Sequence, residues 1–144
     1  MASDPLILLV EDVEDDVFLI RHALEQAFVT NPVEVARDGE EALAYLGGTG
    51  SYADRARYPF PGLVLLDLKM PRMDGFEVLR WIRQQPGFDL LRVVVLTSSL
   101  DTREANAAYA AGANSFLVKP SDFQEAVRLM TEFAGQWLAP ASSA

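Results

Sequence analysis

The chain has 144 residues, one domain's worth at the usual ~100–200, and is 50% hydrophobic and 23% charged, the balance of a packed core. It has no cysteine and a single histidine, His22, which excludes a disulfide framework, thiol catalysis and Cys-based zinc sites and argues against a His-rich metal centre or a Ser-His-Asp triad. Twenty-one Asp and Glu against 12 Lys and Arg leave a net charge of −9, which argues against nucleic acid and for a protein, cation or small-molecule partner.

From the N-terminus, Met1-Ala-Ser-Asp-Pro lacks the basic start of a secretory signal. No apolar run approaches the ~18 residues of a membrane span, so a cytoplasmic protein without a membrane partner is expected. Residues 6–10 form the first apolar run and precede Glu11 and Asp12. Glu14, Asp15 and Asp16 read as charges favouring a helix N-terminus, ahead of an apolar stripe of Val17, Ile20, Leu24 and Phe28. His22 projects away from that stripe and reads as a solvated helix residue.

Further apolar runs follow at 33–36, 63–66, 93–96 and 116–118. Such short continuous runs suit strands buried on both faces of a parallel sheet. Between them, Asp38 with Glu41, Asp74 with Glu77, Asp101 with Glu104 and Ser121 with Gln124 are spaced as helix capping boxes. Residues 47–61 read as a long loop, and 139–144 as a flexible tail. The pattern predicts five β-α units: an α/β fold with a five-stranded parallel sheet flanked by five helices in three layers, forming one domain over 1–144 with its core at 5–138.

In such folds ligands bind beyond the carboxyl ends of the strands. There the sequence places Glu11 and Asp12, then Asp67, then Thr97 with Ser98, then Lys119-Pro120. Carboxylates that repel one another attract a hard divalent cation, and a small all-oxygen site suits Mg²⁺, or Mn²⁺. A carboxylate beside such a cation, a hydroxyl and a lysine is placed to attack phosphorus and form an acyl phosphate.

With those residues in view, the chain resembles the response-regulator receiver domains of two-component signalling, flavodoxin-like in fold. The matching segments are Leu8-Leu9-Val10-Glu11-Asp12, Leu65-Leu66-Asp67-Leu68-Lys69-Met70-Pro71-Arg72-Met73-Asp74-Gly75, Val95-Leu96-Thr97-Ser98-Ser99 and Phe116-Leu117-Val118-Lys119-Pro120. The resemblance implies that Asp67 is the phosphoacceptor and that Asp12 ligates the metal directly. It implies that Glu11 acts mainly through metal-bound water and that the Lys69 backbone carbonyl completes the metal shell. Thr97 and Phe116 become the switch pair, Lys119 the phosphate-pairing lysine, and the Lys119–Pro120 bond is expected to be cis. Glu11 stands where many members have aspartate, and Lys69 puts a long cation beside the site.

The chain is similar in more detail to the single-domain regulators that partner phytochrome-type histidine kinases, through the stretch from Val10 to Leu24, the long segment before the third strand, and Phe123, Val127, Phe133 and Trp137. Output through partner contacts, without an attached effector domain, is then expected. Phe18 and Leu19, more than ~100° from the core stripe of the first helix, are the expected kinase-docking residues. In the last helix, Ala126, Val127, Leu129, Met130, Phe133, Ala134, Trp137 and Leu138 cover about 180° of the wheel, where about 100° suffices for a sheet-packed helix. A homodimer through the fourth helix, fifth strand and fifth helix, with Leu129 and Phe133 at its centre, follows as an expectation. Two other readings compete: a shuttle to a histidine phosphotransfer protein, and an aspartyl-phosphate phosphohydrolase. Hydrolases of the haloacid-dehalogenase type carry a second Asp two residues after the nucleophile, where this chain has Lys69.

Overall fold

Strands β1 (Ile7–Val10), β2 (Val33–Ala36), β3 (Leu63–Asp67), β4 (Arg92–Thr97) and β5 (Ser115–Val118) alternate with helices α1 (Glu14–Gln26), α2 (Gly39–Gly47), α3 (Gly75–Gln84), α4 (Thr102–Ala110) and α5 (Phe123–Phe133). The computed structural model describes residues 5–98 and 101–138, so the expected flexible tail and Ser99 lie outside the described residues. All paired strands run parallel, in the order β2-β1-β3-β4-β5. The chain therefore steps outward from β1 to β2 and then returns past β1 to β3. That reversal opens a crevice at the carboxyl ends of β1 and β3.

The continuous apolar runs are explained by cover on both faces. Leu8, Val10, Val64, Leu66, Val93 and Val95 point into one cluster, closed by Ala42 and Leu46 of α2 and Val78, Leu79 and Ile82 of α3. Ile7, Leu9, Leu63, Leu65, Val94 and Leu96 point into the other, closed by Val17, Ile20 and Leu24 of α1 and Ala126, Met130 and Phe133 of α5. Neighbouring residues of one strand thus serve opposite cores, as the period-2 geometry requires.

The capping boxes hold in part. Asp38 and Asp74 accept from the Glu41 and Glu77 backbone N–H groups at 2.7 and 3.0 Å. Asp101 accepts from Arg103 N–H at 2.9 Å, while the Glu104 carboxylate turns away toward Lys69. At α5 the box sits one residue later than expected: Asp122 accepts from Glu125 N–H at 2.8 Å, and the Ser121 hydroxyl and N–H donate to Glu125. A carboxylate is the stronger acceptor, so Asp122 takes the cap from Ser121. The 47–61 segment is packed more than a loop reading implies. Gly50–Tyr52 makes a 3₁₀ turn, Arg55 donates to the Tyr45 and Leu46 carbonyls at 2.8 and 2.7 Å, and the rings of Tyr45, Tyr52 and Tyr58 stack edge to face or tilted.

Two sequence expectations are corrected by the way α1 and α5 lie side by side. Phe133 is 2% exposed and belongs to the core between α5, α1 and the sheet, so it is no dimer-surface residue. The wide apolar arc of α5 serves two neighbours, α1 as well as the sheet, and needs no partner chain to explain it at Phe133. Leu19 is likewise half-buried against the same cluster, whereas Phe18 stands 63% exposed. Among the described residues no peptide bond is cis, so the expected cis Lys119–Pro120 bond is trans. The trans form is the lower in energy for X–Pro by about 0.5–1 kcal/mol, and in it the Lys119 N–H still donates to the Thr97 carbonyl at 2.7 Å.

Gly75 ties the fold to the crevice. A Cβ there would fall 2.4 Å from the Asp67 carbonyl oxygen and 2.6 Å from Leu68 Cα, backbone atoms that cannot step aside alone. Gly75→Ala is expected to lower stability by about 2 kcal/mol or more. Gly135→Ala, with nothing within 4 Å, is expected to change it by less than about 1 kcal/mol. Urea denaturation of the two variants against the parent chain is the measurement.

Candidate functional site

Sheet register assembles the site. Val10 lies opposite Leu66 and Thr97 opposite Val118, so Glu11 and Asp67 leave neighbouring strands at one level while Lys119 follows one step past Thr97. Glu11, Asp67 and Thr97 are buried, at 1%, 3% and 0% exposure, and the Lys119 side chain is 15% exposed.

The Lys119 ammonium sits among three carboxylates. It lies 2.8 Å from Glu11 Oε1, 2.9 Å from Asp16 Oδ2 and 3.5 Å from Asp67 Oδ1. The other Glu11 oxygen accepts from Val13 N–H at 3.2 Å, and Asp67 Oδ1 accepts from Lys69 N–H at 3.3 Å. Asp12 brings a third carboxylate to Glu11 and Asp67, with one oxygen of each within 4.8 Å of the others. Its Oδ1 is buried and has no hydrogen-bond partner. A buried carboxylate oxygen without a partner is costly unless something positive completes it, so the all-oxygen donor set fits a hard divalent cation.

Burial sets the electrostatics. It pushes the Glu11 carboxyl up to about 7, assisted by the Asp67 charge and only partly opposed by the hydrogen bond from Lys119. Asp67 is raised for the same reason, with Lys119 and the Lys69 N–H pulling it back. For Lys119 burial works downward, but the hydrogen bonds to Glu11 and Asp16 win and hold it above the ordinary lysine range.

An open cavity of about 470 Å³ gives access to Asp67 and Lys119, with Asp16, Lys69, Ser98 and Ser121 on its walls. Lys69 leans outward to Glu104 of α4 at 3.8 Å. Phe116 is half-buried against the α2–α3 core. On the outer face of α1, Phe18 stacks on His22 with ring centres 4.1 Å apart, which agrees with a surface position for His22. The structure thus brings together Glu11, Asp12, Asp67, Thr97, Lys69 and Lys119, and leaves Phe18, Leu129 and Phe116 elsewhere. One site residue escapes the sequence reading. Asp16 looks like one of three helix-terminal charges, yet it alone of the run turns inward to Lys119, while Glu14 pairs with Arg37 at 2.7 Å. The residue spacing hints at it only in retrospect: Asp16 is one position before the buried Val17.

Comparison with known proteins fits this geometry. The family model described as the response regulator receiver domain matches residues 7–131. The chain belongs to that family. It is 39% identical over 142 residues to the probable methanogenesis regulatory protein FilR2 of Methanothrix harundinacea, covering 95% of this chain and 86% of the relative. It is 35% identical over 133 residues to response regulator Rcp1 of Synechocystis, covering 92% and 88%. The structure of Rcp1 in its Mn²⁺-bound form superposes with a TM-score of 0.83 at 33% identity, covering 96% of this chain and 97% of that one. The phosphorylated cyanobacterial phytochrome response regulator RcpA superposes with a TM-score of 0.87 at 34% identity, covering 97% and 98%. The chain is therefore a receiver related to phytochrome response regulators, a phosphorylation-based signalling switch of a class that binds Mg²⁺ or Mn²⁺ at an acidic site and works with histidine kinases. No helix among the described residues is long and apolar enough to cross a membrane.

The raised carboxyls have a thermodynamic consequence. A carboxyl whose pKa is higher in the fold than in the unfolded chain stabilises the fold below its unfolded pKa and loses that contribution as pH rises through the folded value. With Glu11 at about 7, the chelator-treated protein is expected to gain about 1 kcal/mol, a few degrees in Tm, between pH 8 and pH 6. Glu11→Gln should flatten that dependence in thermal melts.

Proposed function

We propose that Asp67 accepts a phosphoryl group from the phosphohistidine of a histidine kinase, of phytochrome type, and that the phosphorylated receiver signals through protein contacts. The observation that carries this reading is the Lys119 ammonium held by Glu11 and Asp16 within 3.5 Å of Asp67 Oδ1, at the mouth of an open cavity. A carboxylate oxygen of Asp67 attacks phosphorus, the donor's P–N bond breaks, and the imidazole leaves with its electron pair and takes up a proton. Lys119 and the Thr97 hydroxyl face the incoming oxygens and stabilise their charge. Glu11, Asp12, Asp67 and the Lys69 carbonyl are the residues that would hold Mg²⁺ or Mn²⁺, which supplies charge neutralisation on the transferring group. Phe116 follows Thr97 inward as the switch residue. The chain assists only its own phosphorylation and dephosphorylation and is not an enzyme on other substrates.

Residues 1–144 act in this reading as a single receiver domain in the cytoplasm, independent of nucleic acid and membrane. Phe18, exposed on the outer face of α1, docks the kinase with the half-buried Leu19 at its edge. A homodimer through α4, β5 and α5 keeps Leu129 of the two residues the sequence suggested and loses Phe133. With Phe133 inside the core, Val118, 38% exposed, and the half-buried Leu129 line a groove of about 280 Å³ with Arg128, Glu125 and Glu132. Kinship to the phosphorylated phytochrome regulator RcpA supports the kinase assignment.

With a phosphohistidine kinase or acetyl phosphate and Mg²⁺, the protein is expected to gain one phosphoryl group, about 80 Da in mass spectrometry, and Asp67→Asn to gain none. Asp12→Ala should abolish this gain and weaken Mg²⁺ binding in a calorimetric titration while leaving the fold intact. A stoichiometric gain in Asp67→Asn would overturn the assignment. For the dimer, sedimentation at ~100 µM should show a two-fold assembly that Leu129→Glu dissociates. Phe133→Glu should instead unfold the chain, since it buries a charge in the α1–α5 core.

A further inference from the structure

Of the acidic run that opens α1, Glu14 and Asp15 are exposed, and Glu14 is spent on Arg37. Asp16 is different: its Oδ2 accepts from Lys119 Nζ at 2.9 Å, across 103 positions of sequence, and it lines the same cavity as Asp67. A lysine ammonium has three N–H donors around a freely turning bond at the end of a flexible four-carbon stem. Glu11 Oε1 takes one donor at 2.8 Å and Asp16 takes a second, which leaves the third for Asp67 Oδ1 at 3.5 Å, the longest of the three separations. With two anchors the ammonium can neither turn nor slide. With Glu11 alone it is free to rotate about that contact and to collapse onto Asp67, where it would cover the nucleophile.

We infer that Asp16 is a positioning residue for phosphoryl transfer: it is the second anchor that aims the free N–H of Lys119 at the oxygens of the group entering on Asp67. This rests on Asp67 as the acceptor. Neither metal ligation nor the α1 helix dipole accounts for Asp16, because its oxygen is spent on Lys119 and not on the Glu11–Asp12–Asp67 cluster. The α1 backbone fixes where that oxygen stands, since Val17 next to it and Ile20 one turn on are buried in the core against α5 and the sheet. Asp16 therefore also links the phosphorylation site to the position of α1.

The test uses the full chain with phosphoramidate and Mg²⁺, following phosphoryl gain by intact mass against time. Asp16→Ala is expected to slow the maximal rate about tenfold, the cost of an ill-placed charged donor. Asp16→Asn keeps an acceptor oxygen at the same place and should stay within about twofold of the parent rate, a rescue that a merely structural role would not produce. A second readout needs neither metal nor donor. Lys69 and Lys119 are the chain's lysines, so ¹⁵N-lysine labelling gives one ammonium signal for each. The Lys119 signal should be sharp in the parent and in Asp16→Asn, and broadened by exchange in Asp16→Ala. An Asp16→Ala protein that folds, gains phosphate at the parent rate or faster and keeps a sharp Lys119 signal would overturn the inference. A parent chain that takes no phosphoryl group at all would overturn the assignment of Asp67 instead.

Discussion

One ammonium makes the buried acidic site tolerable. Glu11 and Asp67 are nearly inaccessible to water at the end of adjacent strands, and two carboxylates so placed would each cost several kcal/mol if left charged and unpaired. Lys119 reaches both, and takes Asp16 as well. The balance is incomplete: burial still raises both carboxyls, and one oxygen of Asp12 is buried without a partner. A protein at its stability optimum would not keep such a cluster. The residual repulsion is what gives the site its appetite for a cation, so the cost in stability and the capacity for chemistry are one property.

The sheet exists, from this viewpoint, to hold those groups in register. β1, β3 and β4 are covered on both faces, so their ends have little freedom to shift. The β1–β3 and β4–β5 pairings then set the depth at which Glu11, Asp67, Thr97 and Lys119 emerge. Gly75 completes the arrangement by letting α3 begin within van der Waals reach of the Asp67 backbone, which no larger residue permits without displacing Asp67 itself.

Much of this was legible in the sequence because it is written in strong, local signals. Continuous Leu/Val/Ile runs suit doubly covered strands, which β1, β3 and most of β4 are, and these three lead into Glu11, Asp67 and Thr97 at the crevice, whereas β2, interrupted by Glu34, and β5 are only partly buried. What escaped was tertiary. Phe133 belonged to an arc too wide for one neighbour, but a wheel cannot say that the second neighbour is α1 and not another chain. Asp16 carries the same local signature as Glu14 and Asp15, and only the fold reveals that the ammonium of residue 119 lies above it. The capping of α5 by Asp122 in place of Ser121 is the kind of one-residue shift that side-chain acidity decides and spacing does not.

Every cation near Asp67 is already engaged elsewhere. Lys119 is shared with Asp16 on α1, and Lys69 leans on Glu104 of α4, whose other carboxylate oxygen is buried without a hydrogen-bond partner. The phosphoryl group proposed on Asp67 would bring close to two further negative charges into this set. Attraction from a dianion at contact range outweighs that of one carboxylate 3.8 Å from the exposed Lys69 ammonium, so the Lys69–Glu104 contact is the one that would give way first. The Lys119–Asp16 contact differs, because the third ammonium donor satisfies the new oxygens without surrendering the other two. The charge change would therefore be felt unequally on the two flanks of the sheet: α1 would keep its tie to the site, while the start of α4 would lose one.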